Sequence, residues 1–278
     1  MAYTRENQLQ AFNRLLDVMD ELREKCPWDH KQTIDSLRPN TIEEVYELSD
    51  AIMNHDMTNI SKELGDVLLH IVFYSKIGSE TGDFDIADVC NKLCDKLIFR
   101  HPHVYPPKEE EPQITKDSSK ATDADQVVKN WEQIKQVEKG GNKSVLAGVP
   151  NSLPPLLKAY RMQDKARAVG FDWEHKDDVW DKVTEEIAEF RSELMYMEDG
   201  EEARKKAQGE LGDLLFSIVN ASRLYDLNPD TALEATCLKF RSRFGYVEQK
   251  AKEAGRNLKD MTLGEMDALW DEAKKLEK

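Results

Sequence analysis

The sequence predicts an all-α protein built as a tandem repeat of one helical bundle. Apolar residues recur at steps of three and four along most of the 278 residues, and strand patterns are hard to find. Four short motifs also recur in the same order in both halves, at offsets between 139 and 147 residues. Ordered recurrence at nearly constant spacing indicates duplication of one helical module.

The repeated motifs are pairs of functional side chains at helical spacing. They are Glu44-x-x-Glu47 and Glu186-x-x-Glu189, Glu63-Leu-Gly-Asp66 and Glu210-Leu-Gly-Asp213, Lys96-x-x-x-Arg100 and Lys239-x-x-x-Arg243, and Trp131-x-x-x-Lys135 and Trp270-x-x-x-Lys274. Residues three or four apart share one face of a helix. Each motif therefore places its two groups side by side.

Ten helices are predicted in chain order from the apolar periodicity. The first half has helices at about 5–25, 41–55, 58–80, 85–100 and 124–138, and the second at about 154–169, 176–198, 200–226, 229–254 and 263–277. The stretches 62–77 and 206–224 carry broad apolar stripes. We expect these two stretches at the centre of their bundles, and we expect the apolar faces to support a dimer.

Two breaks interrupt the helical pattern. Residues 105–122 are rich in Pro, Ser and charge, which predicts a mobile loop. Residues 140–153 predict a linker, because helical periodicity restarts after them. The expected domains are therefore residues 1–139 and 154–278.

The charge balance limits the classes of partner. Lys and Arg number 39 against 54 Asp and Glu, a formal net charge of −15. Nucleic-acid and membrane surfaces require a basic field, so neither partner is expected. The first residues lack an apolar leader pattern, and no stretch of about 18 apolar residues occurs, which predicts a cytoplasmic protein.

The paired acids of the second half predict a cation site. Glu186 and Glu189 share one helix face, Glu210 and Asp213 share another, and antiparallel packing of the helices would bring the four carboxylates together. Two bare carboxylates about 4 Å apart repel by ~4 kcal/mol at an effective dielectric near 20, so the cluster needs a cation or a proton. Carboxylates without Cys or an E-x-x-H pair favour Mg²⁺, with Mn²⁺ as a substitute; the alternative is a solvated acidic face. The corresponding acids of the first half are Glu44, Glu47, Glu63 and Asp66.

Basic side chains near the acids predict a phosphate clamp, since Mg²⁺ usually shares its coordination with substrate phosphates. The candidate cations are Lys182, Lys206, Lys239 and Arg243. Two interpretations stay open for Trp270, which either stacks on a base or anchors its helix. Asn220 likewise either bonds a sugar or base or is satisfied in the core.

Taken together, the motifs resemble the MazG family of nucleoside triphosphate pyrophosphohydrolases. The resemblance rests on E-E-x-x-E, E-L-G-D-L-L-F, K-F-x-x-R-F and the terminal W-x-x-x-K, and on C-P-W-D at 26–29, R-H-P-H-V at 100–104 and G-F-D-W at 170–173. It covers nearly the whole chain in the two-domain form of the family.

The resemblance implies an all-α homodimer that uses Mg²⁺ to hydrolyse an NTP or dNTP to the monophosphate and pyrophosphate. It implies that the metal ligands are Glu186, Glu189, Glu210 and Asp213. It places Glu185 at the substrate or the attacking water, and which of Glu185, Glu186 and Glu189 takes the proton stays open. It implies that the nucleotide is lined by Lys182, Lys206, Lys239, Arg243, Trp270 and Lys274.

The two halves are predicted to be unequal. At the offsets of the repeat, Lys182, Lys206 and Asn220 correspond to Asn40, Asn59 and Phe73. The second half is therefore expected to carry most of the activity. One alternative is a pyrophosphatase selective for one base, such as a dUTP or dCTP pyrophosphatase. The other is a helical interaction protein with vestigial sites.

Overall fold

The computed structural model describes residues 4–138 and 144–276, and within them it contains helices and connecting segments with no strand. The predicted all-α class is therefore confirmed. The chain divides into two compact units, Met1–Thr122 (unit 1) and Asp123–Lys278 (unit 2). Within the described residues, no helix combines the length and the apolarity that crossing a membrane requires.

The described part of unit 1 contains five α-helices. They are α1 (Arg5–Lys25), α2 (Ile34–Met53), α3 (Met57–Thr81), α4 (Ile86–Arg100) and α5 (Gln113–Ser118), with a short 3-10 turn at Asp29–Lys31. Thr4, Thr33, Asp56 and Asp85 cap the first four helices, because their side-chain oxygens accept hydrogen bonds from backbone N–H groups of the first turn.

The core of unit 1 lies where α1 and α2 pack on α3. Met19 of α1, Leu37 of α2, and Val72, Phe73 and Ile77 of α3 form one buried cluster. The central place of α3 agrees with the apolar stripe predicted at 62–77. Because α2 and α3 pack closely, the acids on these two helices are brought side by side.

Helix α2 begins at Ile34, well before its predicted start at 41. Thr33 and Ser36 form a reciprocal capping box, in which each side chain accepts a hydrogen bond from the other residue's backbone N–H. Pro39 lies inside the helix, where it removes one backbone hydrogen bond. The cap and the complete burial of Leu37 offset that loss.

Helix α5 lies within 105–122, the segment predicted as a mobile loop. Thr115 and Ser118 of α5 are 0 % and 3 % exposed, so part of this segment is structured and buried. The composition identified its irregular flanks but missed the helix, because six residues are too few for a periodic apolar pattern. The predicted mobility stays a prediction.

The described part of unit 2 contains six α-helices. They are α6 (Ala124–Val137), α7 (Pro155–Ala168), α8 (Val179–Leu194), α9 (Glu201–Leu224), α10 (Pro229–Glu253) and α11 (Leu263–Leu276). Short 3-10 turns lie at Val145–Gly148, Lys176–Asp178, Met197–Asp199 and Leu258–Asp260. Helices α8 and α9 form the main packed pair, α7 packs on α9, and α10 packs on α11. Val179, Val183 and Ala221 form the buried cluster between α8 and α9.

The division between the units falls between Thr122 and Asp123, whereas the predicted linker spans 140–153. Helix α6 packs on α7 and therefore groups with unit 2. Residues 140–143 of the predicted linker lie outside the described residues. The turn Val145–Gly148, also within the predicted linker, packs on α7.

Candidate functional site

An acidic cluster lies between α8 and α9 of unit 2. Oxygen atoms of Glu186 and Glu189 on α8 and of Glu210 on α9 all lie within 4.8 Å of one another. Asp213 lies one turn after Glu210 and is outside this group of three, yet it is close enough to raise the pKa of Glu210. The predicted convergence of the two acid pairs is therefore observed for three carboxylates, with the fourth beside them.

Glu186 is the most buried of these acids, with 6 % of the residue exposed. The Lys182 ammonium lies 2.8 Å from Glu186 Oε1 and 3.1 Å from Glu185 Oε1. The hydrogen bonds to Glu186 and then to Glu185 raise the pKa of Lys182. Glu186 Oε2 is buried and has no hydrogen-bond partner among the described residues. A buried carboxylate oxygen is costly to leave unpaired, and a hard cation bound there would satisfy it.

The electrostatics of Glu210 also favour a cation. Burial raises the pKa of the Glu210 carboxyl, and the nearby charges of Glu189, Asp213 and Glu186 raise it further. A raised carboxyl pKa means that the protein disfavours the negative charge at this position. A divalent ion held by these oxygens would remove that penalty, so the donor set fits Mg²⁺ or Mn²⁺.

Unit 1 contains a related cluster between α2 and α3. Oxygen atoms of Glu44, Glu63 and Asp66 lie within 4.8 Å of one another. Glu63 is 2 % exposed, and its Oε2 is buried without a hydrogen-bond partner among the described residues. Burial raises the pKa of Glu44, and the charges of Asp66 and then Glu47 add to the effect. The four acids predicted in unit 1 therefore lie close together, with Glu47 outside the group of three.

A lysine missed by the sequence comparison lies in the unit 1 cluster. Lys62 Nζ lies 2.9 Å from Glu63 Oε1 and 3.7 Å from Asp66 Oδ2. The repeat offsets place Asn40 and Asn59 at the positions of Lys182 and Lys206, so the predicted loss of two lysines stands at those positions. Lys62 nevertheless supplies positive charge to the cluster from a different helical position. The signal was a lysine directly before the E-L-G-D motif.

A cavity of about 690 Å³ opens beside the acidic cluster of unit 2. Four residues singled out from the sequence line it, namely Lys182, Glu186, Asp213 and Asn220. Gln163 of α7, Phe171 and Trp173 of the segment between α7 and α8, and Arg223 of α9 also line it. Phe171 is 82 % exposed and Trp173 is 39 % exposed, so both rings have accessible surface. The cavity therefore combines charged groups with aromatic surface.

A hydrogen-bonded group forms part of the cavity wall. Arg223 is 7 % exposed, and its guanidinium donates two hydrogen bonds to the Asp172 carboxylate and two to Asn220 Oδ1. Burial of Asp172 opposes its ionisation, but the hydrogen bonds from Arg223 and from the Trp173 N–H outweigh burial and lower the pKa of Asp172. Arg223, Asp172 and Gln163 were not identified as site residues from the sequence, although Asp172 lies in the G-F-D-W motif.

Comparison with known proteins assigns the chain to a family. A model described as the MazG nucleotide pyrophosphohydrolase domain matches residues 32–105, which include α2 to α4. The chain is 40 % identical to the "Nucleoside triphosphate pyrophosphohydrolase/pyrophosphatase MazG" of Thermotoga maritima, over 95 % of both chains. It belongs to the MazG family.

Two further relatives extend this comparison. The "Nucleoside triphosphate pyrophosphohydrolase" of Escherichia coli K12 is 38 % identical, over 97 % of this chain and 99 % of that protein. The "Uncharacterized protein YabN" of Bacillus subtilis is 45 % identical over 96 % of this chain, which matches 52 % of that longer protein. The MazG likeness therefore includes unit 2 as well as unit 1.

The remaining residues that the MazG resemblance implied lie outside the cavity lining. Lys206 is exposed on α9, one turn before Glu210. Arg243 of α10 lies over the Trp270 ring of α11, with its guanidinium carbon 5.6 Å from the ring centroid. Lys239 and Lys274 are exposed on the same two helices, and Lys274 pairs with Asp271 at 2.9 Å. Within the described residues, the cavity brings together Lys182 and Asn220 but none of these five.

Proposed function

We propose that this protein hydrolyses nucleoside triphosphates, NTP or dNTP, to the monophosphate and pyrophosphate in a Mg²⁺-dependent reaction that clears nucleotide pools. The observation that carries the proposal is the acidic cluster with its unpartnered Glu186 Oε2, which borders a cavity containing Lys182, Asn220 and aromatic surface. The names of the Thermotoga maritima and Escherichia coli relatives support the same reaction.

The proposed site residues fall into two sets, one that binds the metal cation and one that binds the substrate. Glu186, Glu189, Glu210 and Asp213 would hold Mg²⁺, with Mn²⁺ as a substitute. When bound, the ion would supply positive charge to phosphate oxygens and lower the pKa of a bound water. Lys182 pairs with Glu185 and Glu186 in the free protein and lies at the cavity, where it can exchange a carboxylate partner for a phosphate oxygen.

The reaction breaks one P–O bond and forms another. A water oxygen attacks phosphorus, a carboxylate accepts the water proton, and pyrophosphate leaves with the bridging oxygen. Glu185 is exposed beside the cluster, and Glu186 and Glu189 lie within it, so all three stay candidates for the proton acceptor. Basic side chains stabilise the charge on the leaving pyrophosphate.

The decisive experiment separates products as well as rates. Eight NTPs and dNTPs are incubated with the protein and Mg²⁺, and monophosphate, diphosphate, pyrophosphate and orthophosphate are quantified by ion-exchange chromatography. Monophosphate and pyrophosphate in equal amounts, lost on adding EDTA and restored by excess Mg²⁺, is the expected result. Orthophosphate with a diphosphate, or no turnover of any of the eight, would overturn the proposal.

We propose that unit 2 carries most of this activity. Unit 1 has an acidic cluster with Lys62, so it is expected to bind a divalent ion. At the position of Asn220, however, the repeat offset places Phe73, which is buried in the core of unit 1. The cavity with Lys182 and Asn220 belongs to unit 2, so nucleotide hydrolysis is assigned there.

Three finer expectations belong to the same proposal. Both units contain a packed helix pair with an acidic cluster, α2 with α3 and α8 with α9, which supports duplication of one module. We expect a homodimer, and gel filtration giving a monomer at micromolar concentration would contradict it. A nucleotide-facing role for Lys206, Lys239, Arg243, Trp270 and Lys274, and a cytoplasmic location, stay predictions.

A further inference from the structure

Hydrogen bonds from Arg223 fix the orientation of the Asn220 amide. Arg223 Nε and Nη2 lie 3.2 Å and 2.9 Å from Asn220 Oδ1. A guanidinium has only donors, so the Asn220 atom that faces it must be the oxygen. The Nδ2 group of Asn220, with two N–H donors, is therefore left for another partner, and Asn220 lines the cavity.

Arg223, which donates to the Asn220 oxygen, is itself held in place by Asp172. Arg223 Nη1 lies 3.1 Å from Asp172 Oδ2, and Nη2 donates to the other oxygen of the same carboxylate. The Arg223 side chain is 6 % exposed, and that of Asp172 is 21 % exposed. A two-point, largely buried ion pair fixes the guanidinium plane more rigidly than a single contact would. Asp172 also accepts a hydrogen bond from the neighbouring Trp173 N–H at 3.0 Å. Its pairing with Arg223 ties the segment before α8 to α9.

The amide of Gln163, also on the cavity wall, presents an acceptor where Asn220 presents a donor. Gln163 Nε2 donates to the backbone oxygen of Phe216 at 2.8 Å. A carbonyl only accepts, so the Gln163 orientation is also fixed, and the free end of its amide is the acceptor Oε1. Gln163 is 7 % exposed, and Oε1 is buried with no hydrogen-bond partner among the described residues. An unsatisfied buried acceptor costs ~1–3 kcal/mol, which a donor supplied by a ligand would recover.

From these contacts we propose that Asn220 and Gln163 form a base-reading pair in unit 2, with Arg223 and Asp172 as positioning residues. The pair binds a nucleobase edge that has an acceptor for Asn220 Nδ2 and an N–H donor for Gln163 Oε1. The proposal rests on the proposed function, since it assigns the base end of the substrate. Phe171 and Trp173 line the same cavity and supply aromatic faces for the base plane.

At the repeat offsets, the residues of unit 1 do not match this pair. Trp28, His30 and Lys31 match Trp173, His175 and Lys176 at a constant offset of 145 residues, which aligns the segments around them. At that offset Gln163 and Asp172 correspond to Val18 and Pro27. With Phe73 at the position of Asn220, the unit 1 counterparts lack the donor, the acceptor and the anchoring acid. On these offsets, the proposed base-reading pair is assigned to unit 2.

The first test removes one polar group at a time in the full-length protein. Asn220→Leu and Gln163→Met preserve approximate size and add no charge. Each is expected to lower kcat/KM for a natural NTP by about tenfold or more, because a buried group loses its partner. Inorganic tripolyphosphate, which has no base, is expected to inhibit competitively with a Ki within about twofold of the wild-type value.

The second test identifies the N–H group of the base that donates to Gln163 Oε1. ATP is compared with purine riboside triphosphate, which lacks the amino group, and UTP with its N3-methyl derivative. Wild-type protein is expected to prefer the natural member of at least one pair, and Gln163→Met is expected to reduce that preference to near unity. Equal use of both members by the wild type, or a preference unchanged in Gln163→Met, would overturn the base-reading pair.

The third test separates positioning from stability. Asp172→Asn and Arg223→Lys are expected to reduce discrimination among the four NTPs in the same direction as Asn220→Leu, but less. A change in the unfolding midpoint without a change in discrimination would show that the ion pair is only structural and would overturn its positioning role. Ser222→Ala is the matched control, since its hydroxyl bonds Ile218 O within α9 and Ser222 does not line the cavity.

The outcomes also distinguish this inference from the proposed function. If wild-type protein binds the nucleotides but releases no pyrophosphate, the proposed function fails, and the same discrimination ratios are read from dissociation constants by calorimetry. If pyrophosphate is released but the variants discriminate as the wild type does, the reaction stands and the base-reading pair fails.

Discussion

The Lys182 ammonium lies 2.8 Å from Glu186 Oε1, while the second oxygen of the same carboxylate is buried and has no hydrogen-bond partner in the described part of the chain. In the free protein, Lys182 therefore pairs with one oxygen of Glu186, the most buried acid described in unit 2. The other oxygen is available to a ligand. Lys62 and Glu63 repeat the arrangement in unit 1, with a separation of 2.9 Å, and Glu63 Oε2 again has no hydrogen-bond partner within residues 4–138 and 144–276.

Substitution of the acids is expected to affect the two units unequally. Glu186→Ala should reduce pyrophosphate release by about a hundredfold or more, because cation stabilisation worth several kcal/mol is lost. Glu44→Ala should leave most of the activity. Glu201→Ala, which alters an 85 % exposed side chain at the start of α9, is the control. Equal losses in Glu186→Ala and Glu44→Ala would contradict the assignment of activity to unit 2.

Removal of Lys182 is expected to change metal and nucleotide binding in opposite directions. In Lys182→Met the cluster loses its neutralising ammonium, so free Mg²⁺ should bind a few-fold more tightly by calorimetry. The KM for NTP should rise at the same time, because a phosphate partner is lost. Lys205→Met is the matched control, since Lys205 pairs with the exposed Glu201 at 3.3 Å. Weaker Mg²⁺ binding in Lys182→Met would contradict this account.

Stability is expected to depend on pH through the acidic clusters. The pKa values of Glu210 and Glu44 are raised in the folded protein, so the folded state binds their protons more tightly than the unfolded state does. Their contribution to stability is complete below the ordinary carboxyl pKa and is lost as pH rises through the raised pKa. Mg²⁺ should therefore raise the unfolding midpoint more at about pH 7.5 than at about pH 5. Calorimetric scans with and without Mg²⁺, at matched ionic strength, would measure this; an equal gain at both pH values would refute it.

The Arg223–Asp172 pair is expected to stabilise unit 2. Asp172→Ala leaves a guanidinium that is 6 % exposed without its carboxylate, which should cost about 3 kcal/mol in urea unfolding. Glu253→Ala breaks the Lys250–Glu253 pair, whose side chains are 37 % and 50 % exposed, and should have a much smaller effect. Similar losses in the two variants would show that burial does not set the strength of these pairs.

Two glycines of α3 are expected to respond to alanine with opposite signs. A Cβ at Gly78 would lie 2.8 Å from the Phe84 ring and its backbone oxygen, so Gly78→Ala should destabilise unit 1 by about 2 kcal/mol. Beyond the backbone of its own helix and its two chain neighbours, no described atom lies within 4 Å of such a Cβ at Gly65, so Gly65→Ala should stabilise the helix by about 0.5–1 kcal/mol. Denaturant unfolding of both variants tests the pair, and destabilisation by Gly65→Ala would contradict it.

The sequence predicted well those features that depend on neighbours within one helix. The helical class and the acid pairs followed from spacing, because residues three and four apart share a helix face regardless of tertiary structure. The predicted start of α2 at 41 was wrong, since a capping box at Thr33 begins the helix earlier and the helix continues through Pro39. A local pattern identifies a side chain's helix face but not its tertiary partners.

The missed site residues depend on contacts between distant segments. Gln163, Asp172 and Arg223 meet because α7 and the segment after it pack on α9, and no fixed spacing in the chain encodes that approach. Lys62 was missed because the repeat was compared position by position. A lysine on another turn can place its ammonium in an equivalent position, which alignment alone does not detect.

The tryptophan in the cavity wall can serve as an intrinsic fluorescence probe. Of the five tryptophans in the chain, Trp131, Trp173, Trp180 and Trp270 lie in unit 2, whereas Trp28 alone lies in unit 1. Trp173 lies at the cavity and is 39 % exposed, so a base bound there would change its emission without any attached dye. Most of the intrinsic tryptophan fluorescence of the unmodified protein would therefore come from unit 2. The difference between the wild type and a Trp173→Phe variant would give the part of the signal that comes from the cavity.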